Sequence, residues 1–320
     1  MKGLKLAVVI TAAVSLFACA KEESNSRTIC AGRPSTNYNM IAEAIAQVGQ
    51  TVYPQDAFTV AESAGSEENI RNVTSGRYQF GITQADILYD AVNAEGMFAG
   101  ESKLTNLRAI AGLYPEAIQI VTRKDREMYS VPGLWGATVG VGDSHSGTEQ
   151  NAFFILRAAD LNESLVTTVN MSTQEACEAL KNGTIDAFFY TSGAPSALIE
   201  NLADEIDICL IPVSGELQSD LLKEHAYYEE CVIPAGTYRN QEEDVTTISI
   251  ESVLITSDQE SSESIRKFTD ALFASRETIE QSVKLDFSFD ETTAVNHIPV
   301  PFHDGAKAYY ESKGIQVKES

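Results

Sequence analysis

Apolar residues alternate with polar ones along 57–62 and fall at helical spacing along 39–48. The first pattern has the period of a half-buried strand, the second that of an amphipathic helix. Read the same way, 27–31 and 79–83 are strands. Segment 67–75 is a helix, with Ser66 as its N-cap, acidic Glu67 and Glu68 in its first turn and Gly76 after its end. Gln84-Ala85-Asp86 opens another helix, running to residue 93. The order β-α-β-α-β-α predicts a parallel sheet with helices on its faces.

Further on, 107–114 and 117–122 read as two strands split by Pro115, the second crossing into a new domain. Segments 134–141, 166–170, 185–190 and 206–213 read as strands of a second sheet. The run Ser172 to Glu175 is a capping box that starts a helix to 181, and 196–202 is another helix. The stretch 246–256 is the return crossover, followed by one helix over 261–281. The expected architecture is α/β: two lobes, each with its own sheet, and a ligand cleft between their facing strand ends. One lobe is 29–117 plus 247–320, the other 118–246. Open α/β sheets bind ligands at the carboxyl ends of their strands. The polar loops 32–38, 65–69, 83–86, 142–148 and 191–195 all lie at such ends.

The most informative of these loops is 142–148. It places Ser144, Ser146 and Thr148 at a helix start, where free N–H groups and the macrodipole favour an anion. Gly147 allows close approach of the backbone. An ordinary capped helix without a ligand uses the same residue types, so other segments must decide.

The N-terminus reads as a leader. Lys2 and Lys5 precede an apolar run over 6–17 that is too short to span a bilayer. Leu16-Phe17-Ala18-Cys19 resembles a bacterial lipobox. On that reading 1–19 is a lipoprotein signal peptide, Cys19 carries the lipid, and 20–28 is a tether. The expected location is extracytoplasmic, with the membrane reached only through the lipid. The formal charge of −23 excludes the basic footprint that nucleic-acid binding needs. Cys30, Cys177, Cys209 and Cys231 are too widely spaced for a metal site; disulfides and buried thiols both remain open. No Walker loop, dinucleotide fingerprint or metal cluster appears, so no cofactor, metal or catalytic residue is expected. The run Gly142 to Gly147 fails as a serine elbow, because two residues separate Ser144 from the second glycine.

Several motifs occur in order: Gly65-Ser66 with Asn69; Gln84-Ala85-Asp86; Tyr114-Pro115; Gly142 with Ser146-Gly147-Thr148; Asp186-Ala187-Phe188-Phe189 with Gly193 and Pro195; Ile233-Pro-Ala-Gly-Thr-Tyr238; and Pro301-Phe-His-Asp-Gly-Ala306 before Tyr309-Tyr310. Together they resemble the TAXI group, the extracytoplasmic solute receptors of TRAP transporters, over about residues 29–313. The resemblance implies a two-lobed, type II-like periplasmic-binding fold with its ligand in the cleft, and a binding protein that hands a small carboxylate, such as glutamate or glutamine, to an ion-driven membrane permease. A sensing or surface lipoprotein of the same fold is the alternative. Two departures stand out. The first loop keeps only Tyr38 of the family's two adjacent aromatics and adds Arg33, and the family's C-terminal His-Pro is His303-Asp304 here.

The candidate ligand residues are Arg33, Tyr38, Ser66, Asn69, Gln84, Tyr114, Ser146, Gly147, Thr148, Ser192 and Gly193. Arg33 can pair with a carboxylate through its fork. Tyr38 and Tyr114 either wall the pocket or pack the core. Asn69 and Gln84 either read the ligand or start their helices. Asp86 either holds an ammonium or complements a helix dipole. Replacing Cys19 with Ala is expected to move the protein from the membrane to the soluble fraction; a Cys19→Ala protein that still partitions into detergent contradicts the lipobox reading.

Overall fold

The computed structural model describes residues 26–285 and 287–317. The leader, Cys19 and most of the tether lie outside the described residues. The first three units follow the sequence pattern closely: β1 (Ser26–Cys30), α1 (Asn37–Val52), β2 (Ala57–Ala61), α2 (Ser66–Thr74), β3 (Phe80–Gln84) and α3 (Ala85–Asn93). Strand β1 lies between β2 and β3, parallel to both. Thr36 caps α1, its hydroxyl accepting from the Asn39 N–H.

Pro115 does not end a strand. β4 runs unbroken over Leu107–Arg123. Then come β5 (Thr138–Gly140), α4 (Gly147–Ala158), β6 (Thr167–Val169), α5 (Thr173–Asn182), β7 (Ala187–Ser192), α6 (Ala197–Glu205), β8 (Ile208–Ile211), α7 (Gly215–Glu224), β9 (Tyr228–Ile233) and β10 (Val245–Ser257). The capping box is present at Ser172 and Glu175. The expected long helix over 261–281 breaks at Ser275, which leaves helical angles at φ −110° and ψ 20°. It becomes α8 (Ser262–Ala274) and α9 (Arg276–Glu280); α10 (Asp304–Ser312) closes the chain.

The strand order is β2-β1-β3-β10-β4-β7-β5-β6, with β8 also on β4 and β9 also on β10. Two separate sheets were expected; the hydrogen-bond ladders are instead continuous. The reason is the length of β4 and β10. The first half of β10 pairs with β9 and its second half with β3. The first half of β4 pairs with β10 and its second half with β7 and β8. Both crossovers are antiparallel to each other, in the middle of the sheet.

Pro115 is tolerated there because of a bulge. The register shifts between Glu251 and Val253, so Leu113 and Tyr114 together face Ser252. The Ser252 side chain then replaces the disturbed ladder. Its Oγ accepts from the Tyr114 N–H at 3.2 Å and donates to the Tyr114 carbonyl at 2.7 Å. Packing of α1, α3, α8 and α10 around these strands forms the larger core, with Phe80, Phe268 and Tyr310 fully buried. A smaller core holds Phe188, Leu180 and Ile199. Cys30, Cys177, Cys209 and Cys231 are all free thiols. Burial pushes Cys30 and Cys177 up to about 12, so they behave as inert apolar side chains.

Ser252→Ala is expected to destabilise the fold by about 1–3 kcal/mol, because it leaves buried Tyr114 backbone groups unsatisfied. Chemical denaturation reads this directly; an unchanged midpoint would show that the bulge does not need the hydroxyl.

Candidate functional site

The loop between β5 and α4 turns at Gly142, whose φ of 93° suits glycine. It delivers Ser146 as the N-cap of α4, its Oγ accepting from the Glu149 N–H at 3.1 Å. From the opposite side come Gly65, with φ 139°, and the end of β3. The approach is so close that a Cβ on Gly147 would collide with the Gln84 amide. Gly147 is thus required by the geometry of the site, not only by helix capping.

These segments enclose a cavity of about 100 Å³. A buried water needs roughly 10–15 Å³ on the same measure, so there is room for several waters or one compact solute. Of the candidate residues, Arg33, Tyr38, Ser66, Gln84, Ser146, Gly147, Thr148 and Ser192 line it. Asn69, Tyr114 and Gly193 do not. Asn69 is fully buried and its Nδ2 donates to the Ile82 carbonyl at 2.7 Å, tying α2 to β3. Tyr114 is buried beside Glu116. Gly193 presents its carbonyl to Asn37 and packs against Leu285.

Several groups on the wall have bonding capacity left. Thr148 Oγ1 accepts from the Thr191 N–H at 3.2 Å, which leaves its own proton to donate. Gln84 Oε1 is buried with no hydrogen-bond partner. Ser66 Oγ accepts from the Gln84 N–H at 3.1 Å. Arg33 is committed: its guanidinium grips Asp143 through two bonds of 2.9 and 2.8 Å. That pair joins the first loop to the α4 loop at the mouth of the cavity. Nearby, His145 Nδ1 meets Glu67 Oε2 at 2.7 Å. His303 is a helix cap, accepting from the Gly305 N–H.

Sequence reading missed Glu116. It lines the cavity at 2 % exposure and accepts from the Tyr38 hydroxyl at 2.8 Å. The Tyr114 hydroxyl lies 3.5 Å from its other oxygen. No cation is paired with it among the described residues, and burial holds its carboxyl well above the usual carboxylate range. The available signal was a carboxylate within the segment 109–118 of the strand, whose other residues carry no charge.

Behind the cavity, α4 grips α3 through polar pairs. Asn151 Nδ2 donates to Asp86 Oδ2 at 2.5 Å, while its Oδ1 accepts from Thr191 Oγ1. Gln150 Nε2 donates to Asp90 Oδ2 at 2.6 Å. Asp86 also accepts from the Ile87 N–H, at the start of α3. With only neutral donors, burial pushes Asp86 up to about 7 and Asp90 up to about 6.

Both values lie above the unfolded carboxylate range, so their contribution to stability is full below about pH 4. It is lost as pH rises toward about 7. Asp86→Asn removes the charge and keeps one acceptor oxygen, for Asn151, while losing the acceptor for the Ile87 N–H; that loss does not vary with pH. The melting temperature of Asp86→Asn minus that of wild type is therefore expected to rise by a few degrees between about pH 4 and about pH 7.5, then level off. A difference that is flat with pH would place the cost of burial elsewhere.

The fold is shared with solved periplasmic binding proteins. The periplasmic binding protein BugD superposes with a TM-score of 0.55 at 11% identity, over 81% of this chain and 86% of that one. A putative L-cystine ABC transporter protein from Listeria monocytogenes gives 0.51 at 12%, over 82% and 98%. An ancestral arginine-binding protein bound to arginine gives 0.51 at 12%, over 81% and 96%. These likenesses identify the two-lobed periplasmic-binding fold. The sequence model of the NMT1-like family matches residues 29–314. By that match, which takes in every wall of the cavity, the chain belongs to the NMT1-like family.

Proposed function

We propose that the protein is an extracytoplasmic solute receptor that delivers a small carboxylate, glutamate-like, to a TRAP-type membrane permease. One lobe is taken as 29–117 plus 247–320 and the other as 118–246, flexing where β4 and β10 cross between them. Cys19 supplies the lipid anchor. Among the described residues no helix is long and apolar enough to cross a membrane.

The observation that carries the reading is the mixed chemistry of the cavity wall. The start of α4 offers the Gly147 and Thr148 backbone and a free hydroxyl proton on Thr148, which suit a carboxylate. Beside Gly147 the unpartnered Gln84 Oε1 offers an acceptor, and Glu116 adds a carboxyl to the same wall. These suit an ammonium, whose charge offsets the burial that raises Glu116. Arg33, already paired with Asp143, closes the mouth.

A thermal-shift series of amino acids, dicarboxylates and 2-oxoacids tests the class, since a ligand at about 100 times its dissociation constant adds about 2.7 kcal/mol. By calorimetric titration, Thr148→Ala is expected to weaken binding about ten- to a hundredfold, the loss of a hydrogen bond to a charged group. Glu116→Gln is expected to weaken glutamate much more than 2-oxoglutarate. Equal affinities in wild type and Thr148→Ala would move the carboxylate away from α4. The transport role is read by uptake of labelled solute into permease-bearing proteoliposomes, which must depend on both added protein and the ion gradient.

A further inference from the structure

A second recess of about 710 Å³ lies between α3, the turn after α7 and the segment 295–302. It is separate from the cavity above and shares no lining residue with it. Its chemistry is one-sided. Asp90, Glu95 and Glu224 line it, and no Lys or Arg does. Tyr89, Phe154 and Tyr227 supply aromatic wall. The Tyr89 and Tyr227 rings lie 5.6 Å apart at 52°, with Tyr89 still 36% exposed. Asp90 is 4% exposed; its Oδ2 accepts from Gln150, and no described residue donates to its Oδ1.

The two histidines of the lining do not balance these carboxylates. Burial lowers His225, favouring its neutral form. His297 is already turned to Glu229, at 2.8 Å. Nor do the carboxylates converge as a metal site would require: among the described residues no three His, Cys, Asp or Glu side chains are grouped to hold an ion. They are spread around a wide recess. The complement is a cation that is itself extended, with apolar stretches for the rings.

We propose that this recess binds a small organic polycation, a linear diamine or polyamine. One ammonium sits on Asp90 and Glu95 against the Tyr89 and Tyr227 rings, where cation–π attraction adds to charge pairing. The chain of the ligand crosses the aromatic wall, and a second ammonium reaches Glu224. The occupant touches both α3 and the α7–β9 turn, and so adds to the Tyr89–Tyr227 ring contact that already joins them.

The test is calorimetric titration of the full chain with putrescine at about 0.15 M salt, where diffuse attraction is largely screened. Saturable one-to-one binding is expected. Glu95→Gln removes an exposed carboxylate without disturbing the core, and is expected to weaken binding at least about tenfold. Tyr227→Leu is expected to do the same, with its melting temperature recorded to confirm folding. Glu178→Gln, on the exposed face of α5, should bind like wild type. Heats that never saturate, or an equal loss in Glu178→Gln, would assign the effect to the general charge of the chain and overturn the site.

Discussion

Backbone satisfaction in the middle of the sheet is the constraint on which the rest depends. β4 and β10 lie side by side in the interior, where an unpaired N–H or C=O is costly. Yet β4 contains a proline, which cannot donate. The bulge at Leu113–Tyr114 and the Ser252 hydroxyl resolve this locally, and the strand continues. Because it continues, Glu116 emerges one residue later, on the wall of the cavity rather than in a surface turn. A chain broken at Pro115 would have no reason to hold a carboxyl there.

The interior also shows how an acidic chain handles buried acids. Glu116, Asp86, Asp90 and Glu251 are all raised, each with burial as the leading cause. Their partners are neutral: a tyrosine hydroxyl for Glu116, amides for Asp86 and Asp90. Arginines are used at the surface instead, where Arg33 and Arg71 make bidentate pairs with Asp143 and Glu101. With Arg33 held by Asp143, the remaining positive potential at the cavity comes from backbone dipoles, those of the α1, α2, α4 and α5 starts that line it.

Much of this was legible. The capping box at Ser172 and the glycine-bearing loop before α4 carry their own local chemistry, and the structure has them where the pattern put them. The expected N-cap Ser66 is instead the first residue of α2: Gly65 takes the cap position, and the Ser66 hydroxyl accepts from the Gln84 N–H across the cavity wall. What was not legible depended on partners far away in sequence. Pro115 is a strong local signal for a break, and only Ser252 explains why none occurs. Gly147 looked like a permissive helix start; its real neighbour is Gln84. Arg33 resembled a free cation until Asp143 supplied its counterpart. Asn69 and Tyr114 sat in the right motifs, yet their side chains are turned into hydrogen bonds behind the wall. The α7 and β9 elements are short and polar on one side, so no periodicity drew attention to them.

The close approach of Gly147 to Gln84 has an evolutionary consequence. At that point the two walls are separated by less than one methyl group, so any side chain would act as a wedge and pry the cavity apart. The residues around it carry no such limit: Ser66, Thr148 and Ser192 are defined by their hydroxyls, and their volumes can change with the space beside them. The site therefore combines an incompressible joint with replaceable chemistry. Solute preference can drift across descendants of this chain by exchange of polar lining residues, while the spacing that makes it a cavity at all is held by the absence of a single carbon atom.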